Sequence, residues 1–66
     1  METQILISLI ERSGLSQRQF AEKFERSETN ISGWVNGTRK PKMSTLIKMA
    51  ETLGFEIILS FDIKKL

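Results

Sequence analysis

The sequence predicts a mainly α-helical domain of four helices followed by one C-terminal β-strand. Four segments carry apolar residues at helical spacing, and a glycine suited to end a helix follows three of them. The last segment instead alternates apolar and polar residues from Phe55 to Ile63, with one exception at Ile58, and this is the period of a strand. We therefore expect a helical domain over residues 1–54 and a strand and tail over residues 55–66.

A stop signal and a start signal separate the first two predicted helices. The first should span about residues 2–12, because Gly14 can adopt the left-handed conformation that ends a helix. The second should begin after Ser16, since Ser16 and Gln19 match the capping box, in which each side chain bonds the other residue's backbone amide. Its apolar stripe indicates an end near Phe24.

A basic loop separates the third and fourth predicted helices. The third should span residues 27–36, with Ser27 as its N-cap. Pro41 cannot lie inside a helix, so a loop is predicted around it. The fourth helix should begin between residues 43 and 45 and end at Gly54.

The predicted strand has one apolar face and no partner elsewhere in the chain. A lone strand cannot satisfy its own backbone hydrogen bonds. We therefore expect two copies of the tail to pair antiparallel across a twofold axis, which would make the protein a homodimer. The expected interface consists of the alternating apolar residues Phe55, Ile57, Leu59, Phe61 and Ile63.

Composition argues against several classes of function. The 66 residues allow one domain, and they include no Cys and no His. Disulfides are therefore excluded, the commonest metal ligands are missing, and no nucleophile–base pair that needs His can form. We expect no metal, no cofactor and no enzymatic activity. The N terminus lacks the features of a signal peptide, and no apolar run could span a membrane, so we expect a cytoplasmic protein.

Positive charge is concentrated in the middle of the chain. Residues 16–42 contain six basic and three acidic residues, whereas the rest contains four basic and five acidic residues. The excess peaks in the segment Arg39-Lys40-Pro41-Lys42. On charge alone this segment is equally well interpreted as a solvated loop or as a phosphate-binding patch.

The residues from Ser16 onwards match a known family. The segments SQRQFAEKF and SETNISGWVNGTRKP closely resemble the phage repressor/Cro-type (XRE-type) helix-turn-helix, and TLIKMAETLG resembles that family's next helix. The resemblance covers about Gln4 to Gly54. Its most specific part is an ordered set of residues at family spacing, namely Gln17, Ala21, Ile31, Asn36-Gly37 and Pro41.

The resemblance implies a repressor-like fold and a function on double-stranded DNA. It implies a sequence-specific transcriptional regulator, in the simplest case a homodimeric repressor that binds a palindromic operator through helix 27–36. It places Ala21 where the two helices cross, and Ile31 and Trp34 in the core. Base readout is implied for Ser27, Glu28, Thr29, Ser32 and Gly33. Phosphate contacts are implied for Gln17, Asn36, Thr38, Arg39, Lys40 and Lys42.

Three residues depart from the family pattern or allow two interpretations. Glu25 stands where relatives usually have Gly, so we expect it to adopt a positive φ at a cost of about 1 kcal/mol. Gly33 lies at a base-reading position, where it allows either close approach to DNA or only weak readout. Glu28 is suited either to accept a hydrogen bond from cytosine N4 or to favour the helix N-terminus.

Two other functions remain open at this stage. The strand tail resembles that of antitoxins of kinase-type persistence toxins, which implies a possible toxin partner and repression of the chain's own operon. The short extension after Ile63 favours a plain repressor over this alternative. A scaffolding bundle with no role on nucleic acid would require the basic loop and the family spacing to be coincidental.

Overall fold

Four helices and a short β-hairpin form the part of the chain that the computed structural model describes, which is residues 1–58 and the backbone of residues 63–65. The four predicted helices are confirmed. In chain order the elements are α1 (Glu2–Ser13), α2 (Gln17–Lys23), α3 (Glu28–Asn36), α4 (Met43–Leu53), β1 (Phe55–Ile57) and β2 (Ile63–Lys65).

All four helices contribute to one hydrophobic core. Helix α1 packs against both α3 and α4, and α2 packs against α3. Ala21 and Trp34 are buried, as the sequence predicted. No polar or charged side chain of the described residues is buried, so apolar packing holds the fold together. The largest fully buried side chains are Phe20, Leu6, Leu9, Ile31 and Leu46.

Serine caps fix the starts of α2 and α3. The capping box at Ser16 is confirmed, because the Gln19 amide donates to Ser16 Oγ at 3.1 Å and the Ser16 amide donates to Gln19 Oε1 at 3.0 Å. At α3 the Asn30 amide donates to Ser27 Oγ at 3.0 Å. These caps set the first residue of each helix and therefore which residues of α3 face outward.

The turn between α2 and α3 is closed by a Schellman motif. The amide of Glu25 donates to the Glu22 carbonyl at 3.2 Å, and the amide of Arg26 donates to the Ala21 carbonyl at 2.9 Å. This pair of bonds needs a left-handed residue at the position of Glu25. Its φ is 56°, which confirms the predicted positive φ at a non-glycine residue.

The tail differs from its prediction. Strands β1 and β2 pair antiparallel within the chain, with Phe55 opposite Lys65 and Ile57 opposite Ile63. The expectation of a single strand from Phe55 to Ile63 without a partner in its own chain is therefore wrong. Apolar residues continue at every second position past the end of β1, so the single break in the alternation at Ile58 is too weak a sign to predict a second strand.

The predicted dimer residues are only partly visible in this arrangement. Phe55 and Ile57 are half-buried and pack against the core of their own chain. Leu59 and Phe61 lie outside the described residues, and for Ile63 only the backbone is described. The homodimer, its interface and the division of the chain at residue 54 therefore stay predictions.

Candidate nucleic-acid interface

The five predicted base-reading residues lie on α3 or at its N-cap. Ile31 and Trp34 turn one side of α3 into the core, with exposed fractions of 0% and 7%. The opposite side is accessible: Ser27, Glu28 and Thr29 are exposed, whereas Ser32 and Gly33 are half-buried. Residues three or four apart share a face of a helix, so α3 presents a polar surface built from short side chains and one carboxylate.

Ser27 and Glu28 both stabilise the start of α3 in the free protein. Ser27 Oγ accepts the Asn30 amide, which leaves its hydroxyl hydrogen available to a ligand. Glu28 lies in the first turn of α3, where the helix dipole favours a carboxylate. Both interpretations of Glu28 therefore remain compatible with its position.

The basic loop after α3 folds back onto the helix. The Gly33 carbonyl accepts two hydrogen bonds from it, one from Thr38 Oγ1 at 3.1 Å and one from the Arg39 amide at 3.2 Å. Gly37 reverses the chain with a φ of 82°, and Pro41 is buried. The loop is therefore attached to α3 at one end and to the body at the other.

Gly33 faces this loop. A Cβ atom at position 33 would lie 3.4 Å from Thr38 Oγ1 and 3.9 Å from Arg39 Cδ and Cγ, with no closer neighbour. A side chain at position 33 would therefore point towards the loop. The Thr38 hydroxyl hydrogen is already used inside the protein, so in this conformation Thr38 supports the shape of the loop.

The loop cations are exposed, and the loop that carries them is bonded to α3 at Gly33. Arg39, Lys40 and Lys42 are all exposed. Among the described residues the ion pairs are one between Arg18 and Glu22 and one at the N terminus, so none involves the loop. These charges are therefore free to meet an anionic ligand.

The remaining predicted phosphate contacts lie at helix ends. Gln17 is the first residue of α2 and is half-buried, and Asn36 is the exposed last residue of α3. Helix α4 begins after Lys42 without a side-chain cap among the described residues. Its first amides are consequently left to solvent or to a ligand.

Arg26 lies beside α3 and was not among the predicted site residues. Its guanidinium carbon lies 4.8 Å from the centroid of the Trp34 ring, and its Nη1 atom donates to Asn30 Oδ1 at 3.4 Å. One sequence signal could have found it. The residue before an N-cap is often apolar and packs onto the helix, as Leu15 does before Ser16, whereas the cap Ser27 is preceded by a cation.

A second surface lies between α4 and β1. An open groove of about 300 Å³ runs between α4 and β1. It contains Ile47, which is 45% exposed and is one of three exposed large apolar residues in the described part of the chain. The groove is lined by Ile47, Glu51, Phe55, Glu56 and Ile57.

Comparison with known proteins gave one match. A family model described as Helix-turn-helix matches residues 6–58. Searches of curated proteins and of solved structures found no match to the chain. Within the described part of the chain, no helix is both long enough and apolar enough to cross a membrane.

Proposed function

The chain belongs to the helix-turn-helix family of the phage repressor/Cro type (XRE type) and is a DNA-binding transcriptional regulator, and from this premise we propose that it is a homodimeric repressor of a palindromic operator. In this proposal α3 enters the major groove and the loop after it binds phosphates. The observation that carries the proposal is the attachment of a loop with three exposed cations to the Gly33 carbonyl, beside the outer side of α3.

The two parts of this surface have different tasks. Thr29 and Ser32 carry short hydroxyl side chains that can donate to or accept from base edges, and Glu28 can accept from cytosine N4. Such contacts determine sequence preference. When Arg39, Lys40 and Lys42 bind phosphates, the counterions bound to the DNA are released. This release supplies affinity for any sequence.

We place the dimer contact on the hairpin side of the molecule. Strands β1 and β2 form a sheet of only two strands in the described residues, which is marginal by itself and leaves strand edges open. Ile47 and the half-buried Phe55 and Ile57 add an apolar surface beside it. A twofold axis there would set two copies of α3 apart, as a palindromic operator requires, by about 34–36 Å for half-sites one turn of DNA apart.

Selection of binding sites from a random duplex pool tests the proposal directly. We expect enrichment of a sequence with twofold symmetry. Against the enriched duplex, Thr29→Ala should weaken binding by about 1 kcal/mol, or roughly fivefold, and should leave binding to random duplex unchanged.

Lys40→Ala should weaken both duplexes alike, because it removes a phosphate contact. Lys23→Ala is the matched control, because it also removes one exposed lysine. Lys23 lies in the last turn of α2, whereas Gln17 is the first residue of that helix. A pool that yields no preferred sequence would contradict the proposed function. Equal effects of Thr29→Ala and Lys40→Ala on both duplexes would contradict the assignment of the two tasks.

A further inference from the structure

Arg26 connects the two helices of the helix-turn-helix. Its backbone amide donates to the carbonyl of Ala21 in α2, at 2.9 Å, and Ala21 is buried. Its side chain reaches along α3, where it meets Asn30 and the ring of Trp34. We propose that Arg26 is a positioning residue for base readout, which holds α3 in the orientation that presents its reading side to DNA. This inference rests on the proposed function.

The contacts of the side chain span successive turns of α3. Asn30 and Trp34 are four residues apart in α3 and therefore lie one turn apart on one line along the helix, and Arg26, just before the N-cap, reaches both of them. Both the backbone and the side chain of Asn30 are hydrogen-bonded. Its backbone amide donates to Ser27 Oγ at 3.0 Å, and its side-chain oxygen accepts from Arg26. The planar guanidinium lies over the indole, an arrangement favoured by its weak hydration and by the negative charge on the ring face.

This arrangement replaces a hydrophobic staple with a cation. In α2 the apolar Leu15 precedes the cap and packs against the core, and the capping box completes the start of the helix. Helix α3 has the Ser27 cap without the reciprocal side-chain bond, and a charged residue precedes it. The stack of Arg26 on Trp34 therefore supplies the contact that fixes the angle at which the chain enters α3.

The direction of the side chain argues against a phosphate contact. Trp34 is on the core side of α3, whereas Thr29 and Ser32 are on the outer side. The guanidinium of the exposed Arg26 contacts Asn30 and the Trp34 ring and therefore does not extend the reading surface of Thr29 and Ser32. Arg26 therefore acts on readout through the placement of α3.

Arg26→Gln tests the inference on the full chain, with the enriched duplex and a random duplex as probes. The variant keeps most of the side-chain length and removes both the charge and the stack. We expect binding to the enriched duplex to weaken about two- to fivefold, as for the loss of an exposed cation–π pair. Binding to random duplex and its dependence on salt should not change. Arg12→Gln is the matched control, because it removes one exposed arginine from the last turn of α1.

Arg26→Leu separates positioning from stability. It restores an apolar residue before the cap, so thermal unfolding should be close to that of the wild type. The preference for the enriched duplex should still fall, since Leu cannot bridge Asn30 and Trp34. Recovery of full preference in Arg26→Leu would overturn the inference, because an ordinary staple would then be sufficient.

Two further results would also overturn it. Equal weakening on both duplexes with a shallower salt dependence would make Arg26 a phosphate contact. Unchanged binding of Arg26→Gln to a duplex that the wild type prefers would show that α3 needs no such support. Failure of the proposed function would look different, because the wild type itself would then prefer no sequence.

Trp34 is the only tryptophan and the chain has no tyrosine, so acrylamide quenching of its fluorescence reports the stack without DNA and should increase in Arg26→Gln.

Discussion

Gly33→Ala should stabilise the free protein, although Gly33 lies in the middle of the recognition helix. Glycine inside a helix costs about 0.5–1 kcal/mol relative to alanine, because its backbone loses more freedom on folding. The added Cβ would lie 3.4 Å from Thr38 Oγ1 and 3.9 Å from Arg39 Cδ, and both are ordinary contact distances. No crowding therefore offsets the gain, and the free energy of unfolding should rise by nearly the full amount.

Thermal unfolding followed by circular dichroism measures this effect. For a domain of this size, about 0.5–1 kcal/mol corresponds to an increase in Tm of roughly 2–8 °C. The measurement needs a series of protein concentrations, because self-association makes Tm depend on concentration.

The matched control is the same substitution at the end of the same helix. Gly37 has a φ of 82°, where a Cβ is strained, so Gly37→Ala should lower the free energy of unfolding by about 1 kcal/mol or more. Opposite signs for the two variants are the expected pattern. A lower Tm for Gly33→Ala would refute the reasoning, since it would mean that the loop cannot accept a methyl group beside Thr38.

The remaining predictions concern the turn, the loop and the dimer. Glu25→Gly should raise the free energy of unfolding by roughly 0.5–1 kcal/mol in denaturant titrations, because it relieves a positive φ; no change would show that Glu25 is unstrained there. If Arg39, Lys40 and Lys42 of both protomers meet phosphates, the slope of log affinity against log salt should be near −5, given about six contacts; a slope shallower than about −2 would reject the loop as the main phosphate clamp. Ile47→Lys should give a folded monomer in sedimentation equilibrium where the wild type is a dimer, at about tens of micromolar; a dimeric variant would place the interface elsewhere.

The helices could be predicted because their signals are local. Ser16 and Gln19 lie three residues apart and determine each other's hydrogen bonds, so the start of α2 followed from the sequence alone. The positive φ at Glu25 was expected for another reason, the resemblance to a family that usually has Gly at that position.

The pairing of the tail strands and the contacts of Arg26 could not be predicted, because they depend on which residues meet in the fold. Ile57 lies opposite Ile63, and the one break in the alternating pattern, at Ile58, is too little to show where one strand ends and the next begins. Arg26 is one of ten basic residues, and only the fold shows that its guanidinium lies over Trp34. Likewise, the bond from Thr38 to the Gly33 carbonyl depends on the path of the loop.

The two bonds to the Gly33 carbonyl have a consequence for how this protein can change its target. They attach the cationic loop to α3, so under the proposed function the spacing between the base contacts of α3 and the phosphate contacts of the loop is set by these two hydrogen bonds. An insertion or deletion between Gly33 and Arg39 would disturb both at once and should be poorly tolerated. Substitutions at Thr29 or Ser32 leave these bonds intact. New specificities should therefore arise by exchange of side chains on α3, with the loop length held constant.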